Sequence, residues 1–199
     1  MLRVIAGKYK GRRLSTAGIE CAKPTSGRGR QTVFDILSNL TNIGGKETLA
    51  GACVVDCFAG TGALGIEAAS RGAREVIFIE QSNSNCALIK ANAKFLKEKY
   101  ALLNSDLFLI PKDRIGRGSV DLMFLDPPYN KGSIGRCLEC VLNNDWLRNQ
   151  ALLVLEAEVE FNIQLPQCLL EEKTRVISNS KFTVVRYVVG NLEKYCSSD

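Results

Sequence analysis

The sequence predicts an α/β fold: a mostly parallel, seven-stranded sheet with helices on both faces, preceded by a basic hairpin arm. Apolar runs of strand length alternate with helix-like segments through the middle of the chain, and parallel strands need such helical crossovers. The run at residues 120–125 is almost wholly apolar, as expected of a strand covered on both faces. The last third instead contains two alternating strands, a hairpin that would insert one antiparallel strand.

Length and composition fit one domain with a substantial core. The chain has 199 residues, of which 46% are hydrophobic and 24% charged, ordinary values for a globular protein. No apolar run approaches the roughly 18 residues that a membrane span needs, and the first residues show no secretory signal. We therefore expect a cytoplasmic monomer that does not associate with membranes.

The elements follow from residue spacing, beginning with the arm. Residues 3–6 and 12–14 flank a turn and predict two short strands, so residues 1–27 form the hairpin arm. A helix is predicted from Arg30, because apolar residues recur at helical spacing from Val33 to Leu40. Residues 28–199 then form a single domain.

The remaining elements alternate. The strands are expected over residues 52–57, 76–80, 101–104, 120–125, 152–156, 173–179 and 182–189. Helices are expected over residues 63–71, 83–99, 107–112 and 134–143. Ser82 or Asn83 is the candidate cap of the second of these helices.

A glycine-spaced turn joins the first strand to the helix at residue 63. The stretch from Gly60 to Gly65 satisfies G-x-G-x-x-G between a strand and a helix, the context of a nucleotide-binding turn. Glu80 ends the next strand, twenty residues after Gly60, and a carboxylate there can accept hydrogen bonds from a ribose. Together they predict an adenosine-type cofactor without specifying which.

Acidic residues follow four neighbouring strands. Asp56 and Glu80 end the first and second strands, Asp106 follows the third, and Asp126 follows the fourth. In such sheets, ligands bind beyond the carboxyl ends of the strands where the strand order reverses. We therefore expect these carboxylates and the glycine turn to line one crevice.

The tetrapeptide Asp126-Pro127-Pro128-Tyr129 is the most informative stretch for chemistry. The two prolines fix φ and remove two backbone donors, which leaves nearby carbonyls without competing N–H groups. Asp126 and a carbonyl beside Pro127 can then accept both hydrogens of an exocyclic amine. Tyr129 offers a flat face on which a flipped-out base can stack.

Cysteine and histidine content narrows the possible chemistry further. Cys137 and Cys140 form a C-x-x-C without a second pair, which we interpret as small buried residues on one helix face. All eight cysteines are expected to be reduced thiols, and no metal site is predicted. The chain has no histidine, which excludes Ser-His and Cys-His catalysis.

Positive charge is concentrated at the amino terminus. Residues 1–30 carry a net charge of +7, whereas the whole chain carries +5. A segregated basic arm indicates a polyanionic partner such as a nucleic acid. The alternative is a solubilising tail.

Four separated motifs together resemble one known family. The chain resembles class I S-adenosylmethionine-dependent methyltransferases that modify exocyclic or amide nitrogens. The resemblance lies in residues 58–62 followed later in the chain by Asp126-Pro127-Pro128-Tyr129. Residues 3–14, 23–25 and 56–68 narrow the likeness to the RsmD family. That family methylates the N2 amine of one guanine in bacterial 16S rRNA. The resemblance implies a Rossmann-like class I fold, S-adenosyl-L-methionine as cofactor, and 16S rRNA or the small ribosomal subunit as partner.

The resemblance also implies roles for individual residues. The cofactor set is Asp56, Phe58, Ala59, Gly60, Thr61, Gly62, Ala63, Glu80, Gln81, Asp106 and Leu107. The catalytic set is Asp126, Pro127, Pro128 and Tyr129, with Asp126 near both the sulfonium and the target amine. The RNA-contacting set is Arg3, Lys8, Lys10, Arg12, Arg13, Thr25, Arg28 and Arg30.

One stretch departs from the family pattern. After residues 24–25 the family usually has an acidic residue and then Arg-x-Arg-Glu. Here residues 26–31 read Ser-Gly-Arg-Gly-Arg-Gln, which keeps both arginines and lacks the acids. The two glycines also loosen the predicted helix start.

Other functions fit parts of the sequence. A nicotinamide-dependent oxidoreductase explains the glycine turn but not the tetrapeptide at Asp126 or the basic arm. A DNA amino-methyltransferase usually brings a target-recognition domain, for which 199 residues leave no room. A protein-glutamine methyltransferase would have Asn at position 126. A non-catalytic ribosome-assembly factor remains the alternative from another class.

Overall fold

The computed structural model describes residues 2–17, 26–40, 48–128 and 133–189. Helices are α1 (Gly27–Ser38), α2 (Ala63–Ser70), α3 (Asn83–Ala93) and α4 (Ser133–Asn143). Strands are β1 (Cys53–Cys57), β2 (Glu75–Glu80), β3 (Lys99–Asn104), β4 (Val120–Leu125), β5 (Leu147–Glu158), β6 (Leu169–Ile177) and β7 (Ser180–Tyr187).

The seven strands form one sheet in the order β3-β2-β1-β4-β5-β7-β6. Neighbours from β3 to β5 are parallel, and β7 is antiparallel to both β5 and β6. The chain winds outward in both directions from β1 and β4, so the strand order reverses between these two strands. The predicted fold class, including the inserted antiparallel strand, is confirmed.

Two apolar layers cover the sheet. On one face, Val54, Phe124 and Val154 pack with the arm and helices α1, α2 and α3. On the other face, Val55 and Leu125 pack with α4 and the segment after β3. Alternate residues of each central strand therefore face different layers, as the strand period of two requires.

The basic arm pairs with itself less extensively than predicted. Arg3 and Arg13 form an isolated antiparallel bridge, and Val4 N–H donates to the Arg12 carbonyl at 2.9 Å. The backbone thus turns back as a hairpin without two full strands. Its apolar side chains Val4, Tyr9 and Leu14 belong to the core layer on the α1–α3 face.

Two predicted helices differ in their limits from the observed ones. α1 begins at Gly27 rather than Arg30, because the Ser26 side chain caps it by accepting from Gly29 N–H at 3.0 Å. The helix predicted over residues 107–112 is instead two 3-10 turns, Leu107–Leu109 and Lys112–Arg114. Pro111 separates them, since it cannot donate the backbone hydrogen bond that a continuous helix needs.

α3 and β5 also differ from expectation. α3 ends at Ala93, six residues early, and the Lys97 N–H donates to the Tyr9 hydroxyl at 2.9 Å instead of to a helical carbonyl. β5 begins at Leu147 rather than Leu152. Its first residues pair with β4 across a register shift, where Gln150 has a φ of 69°.

Candidate active site

The glycine turn follows β1 at the point where the strand order reverses. Gly60 and Gly62 have φ values of 54° and 76°, which glycine adopts without steric cost. Phe58 also has a positive φ, 63°, a strained conformation for a bulky residue. Such strain concentrates at ligand-binding sites, and here it shapes the first residue of the turn.

Glu80 ties the end of β2 to this turn. One carboxylate oxygen accepts from the Gly60 N–H at 2.9 Å, and the other accepts from the Ser82 N–H at 2.8 Å. The side chain is buried. Because each carboxylate oxygen can accept more than one hydrogen bond, Glu80 keeps acceptor capacity for the hydroxyls of a ribose.

Asp56 lies beneath the turn rather than at its surface. It is 2% exposed, and its Oδ2 accepts from the Gly65 N–H at 2.8 Å. Burial raises the pKa of Asp56 to about 7, the Glu80 charge adds to this rise, and the Gly65 hydrogen bond opposes it. Asp56 therefore braces α2 against β1 and supports the turn from below.

Asp106 lies next to Glu80 at the end of β3. The Ser105 N–H donates to the Glu80 carbonyl at 3.1 Å, and Asp106 Oδ1 accepts from the Phe108 N–H at 3.1 Å. Asp106 is half-buried, and Leu107 behind it is 1% exposed. Gln81 is exposed just beyond the end of β2. Glu80, Asp106 and the glycine turn thus share one edge of the sheet, as predicted.

The loop after β4 lies beside the glycine turn. Leu125 pairs with Cys57 in the parallel register, which sets the next residues, Asp126 and Phe58, side by side. Asp126 is half-buried, Pro127 is buried and Pro128 is exposed. The predicted stacking residue Tyr129 lies outside the described residues, as does Thr25.

A narrow cleft opens at Asp126. Its lining is Val33, Leu64, Phe124, Leu125, Asp126, Val154, Glu156 and Phe182. Glu156, at 7% exposure, is a second carboxylate in this cleft and was not among the predicted site residues. It ends the apolar run of the fifth strand, so the strand-end rule that selected Asp126 could also have found it.

The arm is anchored on α2, the helix that starts at the glycine turn. Glu67 is fully buried, and its carboxylate accepts from the Ile5 N–H at 2.7 Å and the Ala6 N–H at 2.9 Å. Ser70 accepts from the Tyr9 N–H through Oγ and from the Lys8 N–H through its carbonyl. The arm is therefore held at a fixed position relative to the turn.

Gly7 permits this close approach of the arm. A Cβ at this residue would lie 1.9 Å from the Ser70 carbonyl oxygen, far inside contact distance. Gly7 also has a φ of 78°. The anchoring role of Glu67 was not predicted, although an acidic residue inside an otherwise apolar helix could have indicated it.

The predicted RNA-contacting residues separate into two groups. Five arm residues and one residue of α1 are exposed: Arg3, Lys8, Lys10, Arg12, Arg13 and Arg28. Arg30 is instead 2% exposed, and its Nη2 donates to the Arg3 carbonyl at 3.0 Å. Burial lowers the pKa of Arg30, and its position is within the fold rather than on the basic surface.

The basic surface extends beyond the arm. The Arg12 guanidinium lies 4.8 Å from the centroid of the Phe95 ring, and Lys94 and Lys97, which lie within two residues of Phe95 in the sequence, are exposed. Lys8, in contrast, is ion-paired with Glu98 at 2.6 Å. Since Lys94 and Lys97 are about eighty residues from the arm in sequence, only the fold brings them to it.

In the described part of the chain, no group of three or more Cys, Asp and Glu side chains could hold a metal ion. None of its helices is long and apolar enough to cross a membrane.

The strand order, the strained glycine turn after β1 and the carboxylate at the end of β2 define a class I methyltransferase fold. The chain belongs to the RsmD family: the family model described as Conserved hypothetical protein 95 matches residues 2–186.

Individual relatives agree with this membership. A Haemophilus influenzae protein named ribosomal RNA small subunit methyltransferase D is 33% identical over 178 residues, which cover 87% of this chain and 88% of that protein. The Escherichia coli K12 protein of the same name is 33% identical over 162 residues, 80% of this chain and 76% of its own. A solved structure of the Escherichia coli methyltransferase candidate yhhF superposes with a TM-score of 0.77 at 27% identity, covering 94% of this chain and 98% of that one.

Proposed function

We propose that this protein transfers a methyl group from S-adenosyl-L-methionine to the exocyclic N2 amine of a guanine in the 16S rRNA of the small ribosomal subunit. The observation that carries the proposal is the Asp126-Pro127-Pro128 loop, set beside the strained glycine turn where the strand order reverses. The names of the relatives support the RNA substrate.

The residues of the crevice fit the cofactor. Backbone at Phe58, Gly60 and Gly62 adopts positive φ values, which lets the chain bend closely around a ligand. Glu80 would hold the ribose hydroxyls, and Asp106 would accept from the adenine amine with Leu107 behind the ring. When bound, the cofactor supplies a methyl group activated by a sulfonium.

Asp126 would orient the accepting amine. The lone pair of a guanine amine is delocalised into the ring, so the amine is a weak nucleophile. Hydrogen bonds from its two N–H groups to Asp126 and to a carbonyl of the proline loop favour a pyramidal nitrogen with its lone pair directed at the methyl group. The transfer then depends on alignment more than on a strong base, and the methylated nitrogen loses its proton to water.

The basic surface would bind the RNA around the target base. A base in a folded RNA must leave its stack to reach a loop at the end of β4. Exposed Arg3, Lys10, Arg12 and Arg13 can contact flanking phosphates, which position the RNA without reading its sequence. Because Glu67 and Ser70 anchor the arm on α2, these contacts would be held at a set distance from the crevice.

The test uses small subunits from cells that lack the gene. Purified protein and labelled S-adenosyl-L-methionine are added, and digested nucleosides are analysed by mass spectrometry. We expect N2-methylguanosine from the wild type and a loss of at least about 100-fold in rate for Asp126→Ala. Cofactor affinity should fall only modestly. Asp113→Ala is a matched control, because Asp113 is exposed in a 3-10 turn.

Three results would contradict parts of the proposal. Near-normal turnover by Asp126→Ala would show that Asp126 does not orient the accepting amine. Methylation of another base or of protein would support the cofactor assignment and contradict guanine as the target. Cofactor binding without transfer to subunits, free rRNA or DNA would favour a non-catalytic assembly factor.

A further inference from the structure

Glu156 occupies the position on β5 that corresponds to Asp126 on β4. Leu125 and Leu155 pair in the parallel register, so the next residue on each strand is Asp126 and Glu156. Both side chains line the same cleft. Glu156 is 7% exposed, although its polar side chain would ordinarily lie in solvent.

The remaining walls of the cleft are apolar. Phe124, Val154 and Phe182 are each at most 4% exposed, and α1 and α2 add Val33 and Leu64. The two carboxylates therefore stand in apolar surroundings at the ends of adjacent strands. A base whose amine reaches Asp126 can present the neighbouring ring nitrogen toward Glu156.

Guanine has the complementary edge. An ionised carboxylate only accepts hydrogen bonds. Guanine presents N1–H next to its N2 amine on the Watson–Crick edge, so a carboxylate beside the bound amine can accept from N1–H. Adenine and cytosine place an unprotonated ring nitrogen next to their amines, which would face the carboxylate lone pairs. A buried carboxylate therefore rejects those bases, since their acceptor would be left unpaired.

We propose that Glu156 is the specificity-determining residue that selects guanine, by accepting a hydrogen bond from N1–H. The two hydrogens of the N2 amine go to Asp126 and to the carbonyl of the proline loop. This inference rests on the proposed function and adds to it a residue that determines base specificity. Asp126 orients the amine, and Glu156 distinguishes guanine from the other bases.

The test uses a base analogue that lacks the N1–H of guanine. Small subunits are reconstituted with rRNA that carries either guanine or 2-aminopurine at the position found by mass spectrometry. 2-Aminopurine keeps the amine and lacks N1–H. For the wild type we expect kcat/KM to be at least about tenfold lower on 2-aminopurine than on guanine, because one charge-assisted hydrogen bond is lost and an acceptor faces the carboxylate.

The variant Glu156→Gln should change this preference. Its amide can donate to the unprotonated N1 of 2-aminopurine, so we expect a roughly tenfold or greater loss on guanine and a ratio between the two bases within about threefold. Glu158→Gln is the control, because Glu158 is exposed on the same strand, and it should keep the wild-type ratio. Cofactor affinity of Glu156→Gln, measured by calorimetry, reports whether the variant is folded.

The outcomes separate this inference from the proposed function. If the wild type makes N2-methylguanosine but uses 2-aminopurine equally well, Glu156 does not read N1–H and only this inference is overturned. An unchanged preference in folded Glu156→Gln overturns it as well. If the wild type makes no N2-methylguanosine, the proposed function fails and the inference fails with it. The comparison of guanine with 2-aminopurine in the wild type tests this inference even if Glu156→Gln does not fold.

Discussion

At the scale of single residues, carboxylates near the crevice differ in what surrounds them. Glu80 is held by two backbone N–H groups, whereas Asp56 accepts one such bond in a fully buried place. A buried carboxylate with few donors favours its neutral form. Burial accordingly raises the pKa of Asp56 to about 7.

The raised pKa of Asp56 predicts a pH-dependent stability. An unfolded aspartate titrates near 3.9, so the folded state holds an extra proton between about pH 4 and 7. The stabilisation from this group is complete below pH 4 and is lost as the pH rises to 7. Relative to wild type, Asp56→Asn should therefore gain roughly 3 kcal/mol in free energy of unfolding between pH 5 and pH 8.

Urea unfolding of both proteins across this pH range measures the difference. Asparagine keeps an oxygen that can accept from the Gly65 N–H, so the variant removes the titration and retains the hydrogen bond. Parallel pH profiles for the two proteins would show that Asp56 is not protonated in the folded state near neutral pH.

At the scale of elements, contacts between segments set the helix limits that apolar spacing alone predicted wrongly. Apolar spacing predicted that the third helix continues to Lys99, but the Lys97 N–H donates to the Tyr9 hydroxyl of the arm. α1 began earlier than its apolar residues because Ser26 caps it. Gly29, one of the two glycines that depart from the family pattern, lets α1 approach the sheet: a Cβ there would lie 2.9 Å from Phe182 Cζ.

The anchoring of the arm on α2 gives an element-scale prediction. Glu67→Gln replaces a carboxylate that accepts from two arm N–H groups and from Arg71 Nε with an amide that has one accepting oxygen. At least one part-buried arm donor then loses its partner, which costs about 1–3 kcal/mol. Urea unfolding should show this loss, and trypsin should cleave the arm faster.

Glu75→Gln is the matched control for this experiment. Glu75 pairs with the exposed Lys99, and an ion pair of this kind contributes about 0–1 kcal/mol. Arm cleavage by trypsin at the same rate in Glu67→Gln and Glu75→Gln would contradict the anchoring role.

At the scale of the whole molecule, the fold assembles one basic surface from two distant stretches. The arm and the segment that follows α3 meet through Tyr9, Arg12 and Phe95, and the exposed Lys94 and Lys97 belong to the same segment. A surface that binds phosphates releases counterions, so its affinity depends on salt.

Replacing Lys94 and Lys97 together by alanine should weaken RNA binding several-fold at low salt. It should also reduce the slope of log affinity against log salt by roughly 1 for each lysine that contacts a phosphate. Binding titrations over a salt series measure both. Lys112→Ala is the control, because Lys112 is exposed in the segment on the opposite face of the sheet. An unchanged slope in the double variant would exclude Lys94 and Lys97 from the interface.

Local signals in the sequence determined the sheet, the glycine turn and the carboxylates at its edge. Strand periodicity, G-x-G-x-x-G spacing and the proline pair at Asp126 each depend on a few neighbouring residues, so they can be read without a structure. β4 was predicted at its observed limits, Val120–Leu125. The strand-end rule then placed Glu80 and Asp106 at one edge.

Only the tertiary structure decided which side chains meet across long separations. It buried Arg30 against the arm, anchored the arm on Glu67, joined Lys94 and Lys97 to the basic surface, and set Glu156 beside Asp126. These relations depend on strand order and on register, which pair residues that lie tens of positions apart. Periodicity shows that a strand exists and which way its side chains alternate, but the strand it pairs with is selected by packing of the whole chain.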